Sequence, residues 1–157
     1  MIIDKNKKMI SEDHYIQCRV YLEDTDAQGV VYNANYLRFF ERARTEWLRK
    51  ALIDHNDLKI RYNILLVLSK IEVNFITPAC LDDLLLVTAK IHSISGAKII
   101  FDQSIYKSSV LEKSGDLLYK KLLVSGIAEV ACIDTIRSKP VRIPKDLVNK
   151  LKDRDIK

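Results

Sequence analysis

Glycine, proline, cysteine and histidine are all scarce in this chain of 157 residues, and each scarcity closes off a chemistry. Four Gly and three Pro leave no room for a Gly-rich phosphate loop, a collagen-like repeat or a long flexible linker. Neither GxGxxG nor GxxxxGKS/T occurs, so dinucleotide and P-loop nucleotide binding have no support. The three histidines, His14, His55 and His92, fall in unrelated segments and no GxSxG elbow exists, which argues against a Ser-His-Asp hydrolase. Without HExxH, paired cysteines or histidines at helical spacing, no metal site is expected. Cys18, Cys80 and Cys132 fit no CxxC spacing. An odd count without a secretion signal reads as reduced, buried thiols in a cytoplasmic protein. The first eight residues lack the apolar stretch of a signal peptide, and no apolar run approaches the ~20 residues of a membrane span. The longest, Ile64-Leu65-Leu66-Val67-Leu68, is core-sized.

What is present is an ordinary globular composition, 48% hydrophobic and 30% charged, with length for one domain and its core. The formal charge is +5, but it is not spread out. Residues 137–157 hold eight basic side chains (Arg137, Lys139, Arg142, Lys145, Lys150, Lys152, Arg154, Lys157) and three acidic ones (Asp146, Asp153, Asp155), so everything before them sums to zero. A chain-wide basic surface for coating nucleic acid is therefore disfavoured.

Hydrophobic period divides the chain. Residues 1–14 are polar and aperiodic and read as a loosely held extension. Ile16, Cys18, Val20 and Leu22 alternate with polar neighbours, as in a half-buried strand. After Gly29 the period becomes helical: Tyr36, Phe39, Phe40, Ala43, Trp47, Leu48 and Ala51 form one apolar stripe. Asn33 and Asn35 are candidate N-caps, so the spacing predicts a helix over about Asn35 to Leu52. Strand patterns follow around Ile71-Val73-Phe75, Val87-Ala89-Ile91 and Ile99-Phe101-Ile105, with a long one over about Leu117 to Ile133. Short turns at Asp82-Asp83, Ser95-Gly96 and Ser114-Gly115-Asp116 imply antiparallel neighbours. One long helix laid across four or five antiparallel strands is an α+β fold. Beyond Pro144, Leu147, Val148 and Leu151 indicate a short basic helix.

By elimination, any catalysis rests on carboxylates, amides, hydroxyls and backbone. Glu23-Asp24-Thr25-Asp26 is the focus, because Gly29 and a helix start follow it. On an extended chain Asp24 and Asp26 face the same way, and each raises the other's pKa if both are dry. A helix N-terminus offers free N–H groups and a positive dipole end to a developing oxyanion. The alternatives are acids that only solvate a turn and cap the helix, or a DxD metal site.

Tyr21 to Glu46, with Glu23-Asp24-Thr25-Asp26-Ala27-Gln28-Gly29-Val30-Val31-Tyr32-Asn33 at its start, closely resembles the hotdog-fold acyl-CoA thioesterases. Within them it is similar to the branch related to 4-hydroxybenzoyl-CoA thioesterase and encoded beside the bacterial Tol-Pal envelope genes. Pro78-Ala79-Cys80-Leu81-Asp82-Asp83-Leu84 and Val130-Ala131-Cys132-Ile133-Asp134, then Lys139-Pro140 and Ile143-Pro144, match further blocks, so the resemblance covers about residues 15–148. It implies a curved antiparallel sheet of about five strands wrapped around a central helix, over residues 15–143, between the 1–14 extension and a basic tail at 144–157. It also implies acyl-CoA as substrate, no cofactor, and homo-oligomers (edge-to-edge dimers, often paired as tetramers) with sites at the dimer interface. Acyl carrier protein or other envelope and lipid-synthesis proteins are the protein partners it implies, in the cytoplasm or peripheral at the inner membrane. The catalytic carboxylate maps onto Asp26, as nucleophile or general base, and the oxyanion donor onto the Asn33 backbone N–H. Gly29, Tyr32, Ser69, Lys70 and Arg137 are the expected substrate-binding residues; some of Arg137, Lys139 or Arg142 hold the CoA phosphates, the alternatives being a solvated tail that keeps the oligomer soluble or a contact with an acidic carrier protein or anionic lipid surface. Two departures stand out: relatives usually carry His at the Asn33 position and an aromatic at the Leu22 position. Any imidazole role is lost at Asn33, whereas a backbone donor survives. A non-catalytic acyl-thioester-binding or cell-envelope-associated adaptor is the rival reading.

Overall fold

The computed structural model describes residues 15–109 and 119–155; the expected extension at 1–14 and the turn at Ser114-Gly115-Asp116 lie outside them. In chain order the elements are β1 (Tyr15–Arg19), a 3-10 turn at Leu22–Asp24, α1 (Asn33–Lys50), α2 (His55–Tyr62), β2 (Ile64–Phe75), β3 (Leu84–Ser95), β4 (Lys98–Ser109), β5 (Tyr119–Asp134), β6 (Lys139–Pro140) and α3 (Lys145–Asp155). The strands form one antiparallel sheet in the order β1-β3-β4-β5-β2, with β6 added to the end of β5. This is the expected α+β architecture, a curled sheet with one long helix against it.

The apolar stripe of α1 seats it. Tyr36, Phe39, Phe40, Ala43, Trp47 and Leu48 are buried, and they meet Leu85, Val87, Phe101, Ile105, Val124 and Ala128 from the sheet. Each large side chain so buried contributes roughly 2 kcal/mol. Trp47 meets Phe101 edge-on, with centroids 5.8 Å apart. Phe40 lies over Gly126 of β5, where a Cβ would come within 3.0 Å of its ring. The helix can approach the sheet that closely only because β5 carries no side chain there.

Several details depart from the sequence reading. Helix α1 starts and ends two residues earlier than expected, and its N-cap is Tyr32, whose side chain makes no capping bond. Helix α2 carries no clear apolar stripe, since Leu58 is its one buried residue. Its signals are its caps: Asp54 accepts from the Asn56 and Asp57 N–H groups, and Asn63 closes it in the left-handed conformation at φ 53. Arg44, on α1, is buried, and of the three thiols only Cys132 is fully buried, Cys80 being exposed. The basic end is a docked helix: Leu147 and Leu151 of α3 are buried, and Tyr62 of α2 donates to the Asp146 carboxylate.

Candidate active site at the start of the long helix

The segment before α1 folds back on itself. Leu22–Asp24 is a 3-10 turn, not extended chain, so Asp24 and Asp26 do not share a face by strand alternation. The Asp24 carboxylate accepts the Tyr21 N–H at 2.9 Å, which closes that turn. Asp26 opens the next turn: its N–H donates to Val30 O at 2.9 Å, its carbonyl accepts the Gly29 N–H at 3.0 Å, and its Oδ1 accepts the Gln28 N–H at 2.8 Å. Gly29 sits at φ +77, a conformation glycine adopts without strain. Asp26 is exposed and Asp24 half-buried, so the two do not form a dry carboxylate pair. Tyr32, Asn33 and Ala34 are also exposed. A helix supplies no carbonyl to its first N–H groups, so the Asn33 end of α1 opens to solvent beside the Asp26 turn.

Three ties hold these parts together. The Asp24 carbonyl accepts both the Tyr32 N–H at 2.9 Å and the Asn35 side-chain amide at 3.0 Å. That is why Asn35, buried in the first turn, is not the N-cap. Val31 donates to Ala79 O at 2.8 Å, and Val30 bridges Cys80 in an antiparallel pair. Ala79, fully buried, donates its own N–H to the Tyr36 hydroxyl at 2.9 Å. Burial pushes that hydroxyl above the usual tyrosine range, against the lowering effect of the Ala79 N–H, so it stays neutral at working pH. The Tyr36 ring packs on Phe39 and Phe75, with centroids 6.4 and 5.7 Å away. The roles of the Tyr36 hydroxyl and the Asn35 amide were not legible beforehand; an aromatic in a helical stripe looks like core, and nothing local shows that its hydroxyl meets a loop 43 residues on.

The remaining site residues are spread along β2. Asp26, Gly29, Tyr32 and Asn33 cluster at the Phe75 end. Ser69 and Lys70 lie in the middle, at a bulge opposite Glu129. Ser69 Oγ donates to the Glu129 carbonyl and carboxylate, each at 3.0 Å, and Lys70 pairs with Glu72. Hydrogen bonds from Lys98 and then Ser69 hold the Glu129 carboxyl below its ordinary range. Arg137 is at the far end, in the turn after β5, where Asp134 pairs with Ile64. Its N–H and that of Ile136 both donate to Asp134 Oδ1 at 2.8 Å. The rise of a strand puts the two ends of β2 roughly 36 Å apart, so within one subunit Arg137 does not join Asp26.

A curled antiparallel sheet against one long helix, with a carboxylate turn held at the helix start, defines a hotdog-fold protein with a solvent-open site. Residues 20–151 match the model of the thioesterase-like superfamily, and the chain belongs to that superfamily. It is 36% identical over 139 residues to the acyl-CoA thioesterase YbgC of Haemophilus influenzae, covering 88% of this chain and 94% of that one. An Escherichia coli acyl-CoA thioester hydrolase YbgC is 37% identical over 134 residues, 85% of this chain and 92% of that one. A probable thioesterase from Bartonella henselae superposes with a TM-score of 0.69 at 36% identity, over 83% of this chain and 98% of that one. A 4-hydroxybenzoyl CoA thioesterase mutant complexed with 4-hydroxybenzoyl CoA shares the fold, with a TM-score of 0.76 at 18% identity over 87% and 96%.

Proposed function

We propose that the protein hydrolyses acyl-CoA thioesters to free CoA and a carboxylic acid, at the junction of the Asp26 turn and the α1 N-terminus. The observation that carries this reading is the tied geometry of that junction, together with acyl-CoA thioesterase relatives that align along nearly their whole length. The thioester carbonyl points at the start of α1, where the Asn33 N–H and the helix dipole stabilise the oxyanion; one such donor is worth about 3 kcal/mol. Asp26 Oδ2 attacks the carbonyl carbon and the C–S bond breaks, releasing the CoA thiolate and leaving an anhydride that water then cleaves, or Asp26 takes a proton from a water that attacks and expels the thiolate. Gly29 and Tyr32 flank the reacting group.

The CoA side of the proposal needs a second copy. Strand β2 has 12 residues and among the described residues is bonded to β5 along one edge only, with Leu65, Val67, Leu68 and Phe75 exposed. A long apolar edge of this kind is a template for pairing. Antiparallel pairing of β2 with its copy places the two-fold axis near Ser69 and Lys70. It then carries the partner's Arg137 turn to the Phe75 end, beside Asp26. In that arrangement Arg137, Lys139 and Arg142 face the CoA phosphates, which arginine binds well. Pairing of two such dimers gives the tetramer.

Thiol release from a panel of acyl- and aryl-CoA thioesters tests the activity, with wild type beside Asp26→Asn. Turnover by wild type and a loss of at least about 100-fold in the variant are expected. Equal rates sink the assignment of Asp26; binding of acyl-CoA with no turnover across the panel favours the adaptor reading.

A further inference from the structure

The Ala79 peptide sits between the two halves of the site. Its carbonyl accepts the Val31 N–H at 2.8 Å, and Val31 lies between the Asp26 turn and the helix start. Its N–H donates at 2.9 Å to the hydroxyl of Tyr36, in the first turn of α1. Ala79 is fully buried and Tyr36 is 3% exposed, so water does not substitute readily for either partner. The next residue, Cys80, bridges Val30 and is anchored through its N–H to Asp83 Oδ2 at 3.0 Å.

We propose that Tyr36 is a positioning residue for thioester hydrolysis: by accepting the Ala79 N–H, its hydroxyl fixes the loop after β2 against Val30–Val31. It thereby sets where the Asp26 turn stands relative to the Asn33 N–H. This rests on the reading of the junction as the active site. The physical reason is that a buried N–H must be paired. Without the hydroxyl, the Ala79 peptide has to move to find an acceptor, and Val31 and Val30 move with it. Those two residues are the only chain between the Asp26 turn and Tyr32, the N-cap of α1. A shift of about 1 Å in a reacting group costs on the order of 100-fold in rate. The tyrosine itself touches no reacting atom in this scheme.

Tyr36→Phe removes one oxygen and keeps the ring that packs on Phe39 and Phe75. The expected result is a kcat lowered about 10- to 100-fold with KM changed much less, and faster hydrogen exchange at the Ala79 amide. Leu151→Ala, in α3 and remote from the junction, is the comparison: it lowers Tm but keeps kcat. Phe75→Leu, which keeps the hydroxyl but removes the ring packed on it, is expected to lose a smaller part of kcat. Wild-type kcat in Tyr36→Phe, measured on a wild-type enzyme that turns over, overturns this proposal alone. A loss of kcat in Leu151→Ala equal to that in Tyr36→Phe also overturns it, since stability would then explain both. If the wild type turns over no thioester in the panel, the activity reading fails and takes this one with it.

Discussion

Arg44, buried on α1, donates from Nη1 to Gln103 Oε1 on β4 at 2.6 Å. Gln103 passes the tie back through Nε2 to the Phe40 carbonyl at 3.0 Å, and Arg44 pairs at its other amine with Glu41. A buried guanidinium is tolerated because each of its terminal amines has a partner. Gln103→Ala leaves both Arg44 and the Phe40 carbonyl short of one, and is expected to destabilise the fold by about 1–3 kcal/mol in urea unfolding. The double variant Arg44→Met with Gln103→Leu should recover part of that loss, because removing both polar partners is milder than orphaning one.

Asn33→Pro isolates the backbone donor proposed for the oxyanion. Proline is tolerated at the first helical position, where its missing N–H leaves no helix bond unmade. It also asks the preceding residue for extended backbone, and Tyr32 already has φ −61 and ψ 133. The helix should therefore persist by circular dichroism while kcat falls about 100- to 1,000-fold. Full activity in a folded Asn33→Pro enzyme would move the oxyanion site elsewhere.

Gly126 marks a close approach of α1 to the sheet. In Gly126→Ala the new Cβ would lie 3.0 Å from Phe40 Cε2 and 3.2 Å from the Glu72 carbonyl. The carbonyl belongs to the backbone of β2 and cannot swing away, so the buried Phe40 ring must give. Overpacking of this kind costs about 1–3 kcal/mol, read as a lower urea midpoint. Gly29→Ala meets nothing within 4 Å, and its penalty is the positive φ alone, about 1–2 kcal/mol.

Acid should loosen the end of the molecule that carries Arg137. The Arg137 and Ile136 N–H groups hold the Asp134 carboxyl below the usual carboxylate range. A carboxylate whose folded pKa is depressed stabilises the fold above its unfolded pKa, near ~3.9, and that stability is lost as pH falls through the folded value. Thermal melts from pH 6 down to pH 3 should show wild type losing more Tm than Asp134→Asn, which has no carboxylate to protonate. Parallel curves would mean that the turn draws nothing from the charge.

Period and punctuation made much of this protein legible in advance. The stripe from Tyr36 to Ala51 identified α1, because a helix that must bury one face writes its period of 3.6 into the residues. Alternation around Val87 and Ile99 marked β3 and β4 for the corresponding reason. Helix α2 escaped because its evidence lies in the caps Asp54 and Asn63 and not in a stripe. The helix start was misplaced by two residues because the Asn35 amide is taken by the Asp24 carbonyl, a partner 11 positions away.

By itself, the sequence determined α1 and most of the strands, the resemblance that singled out Asp26 and Asn33, and the confinement of the net charge to residues 137–157. These are local properties, carried by side chains in the order they are linked. Tertiary structure alone decided how they meet. It brought Ala79 between Val31 and Tyr36, set Ser69 midway along β2 and Arg137 beyond its far end, away from Asp26, and docked the basic helix α3 through Leu147 and Leu151. Each of these pairs residues far apart in the chain, and such contacts form only when the sheet closes on the helix and leaves every buried N–H to find its acceptor.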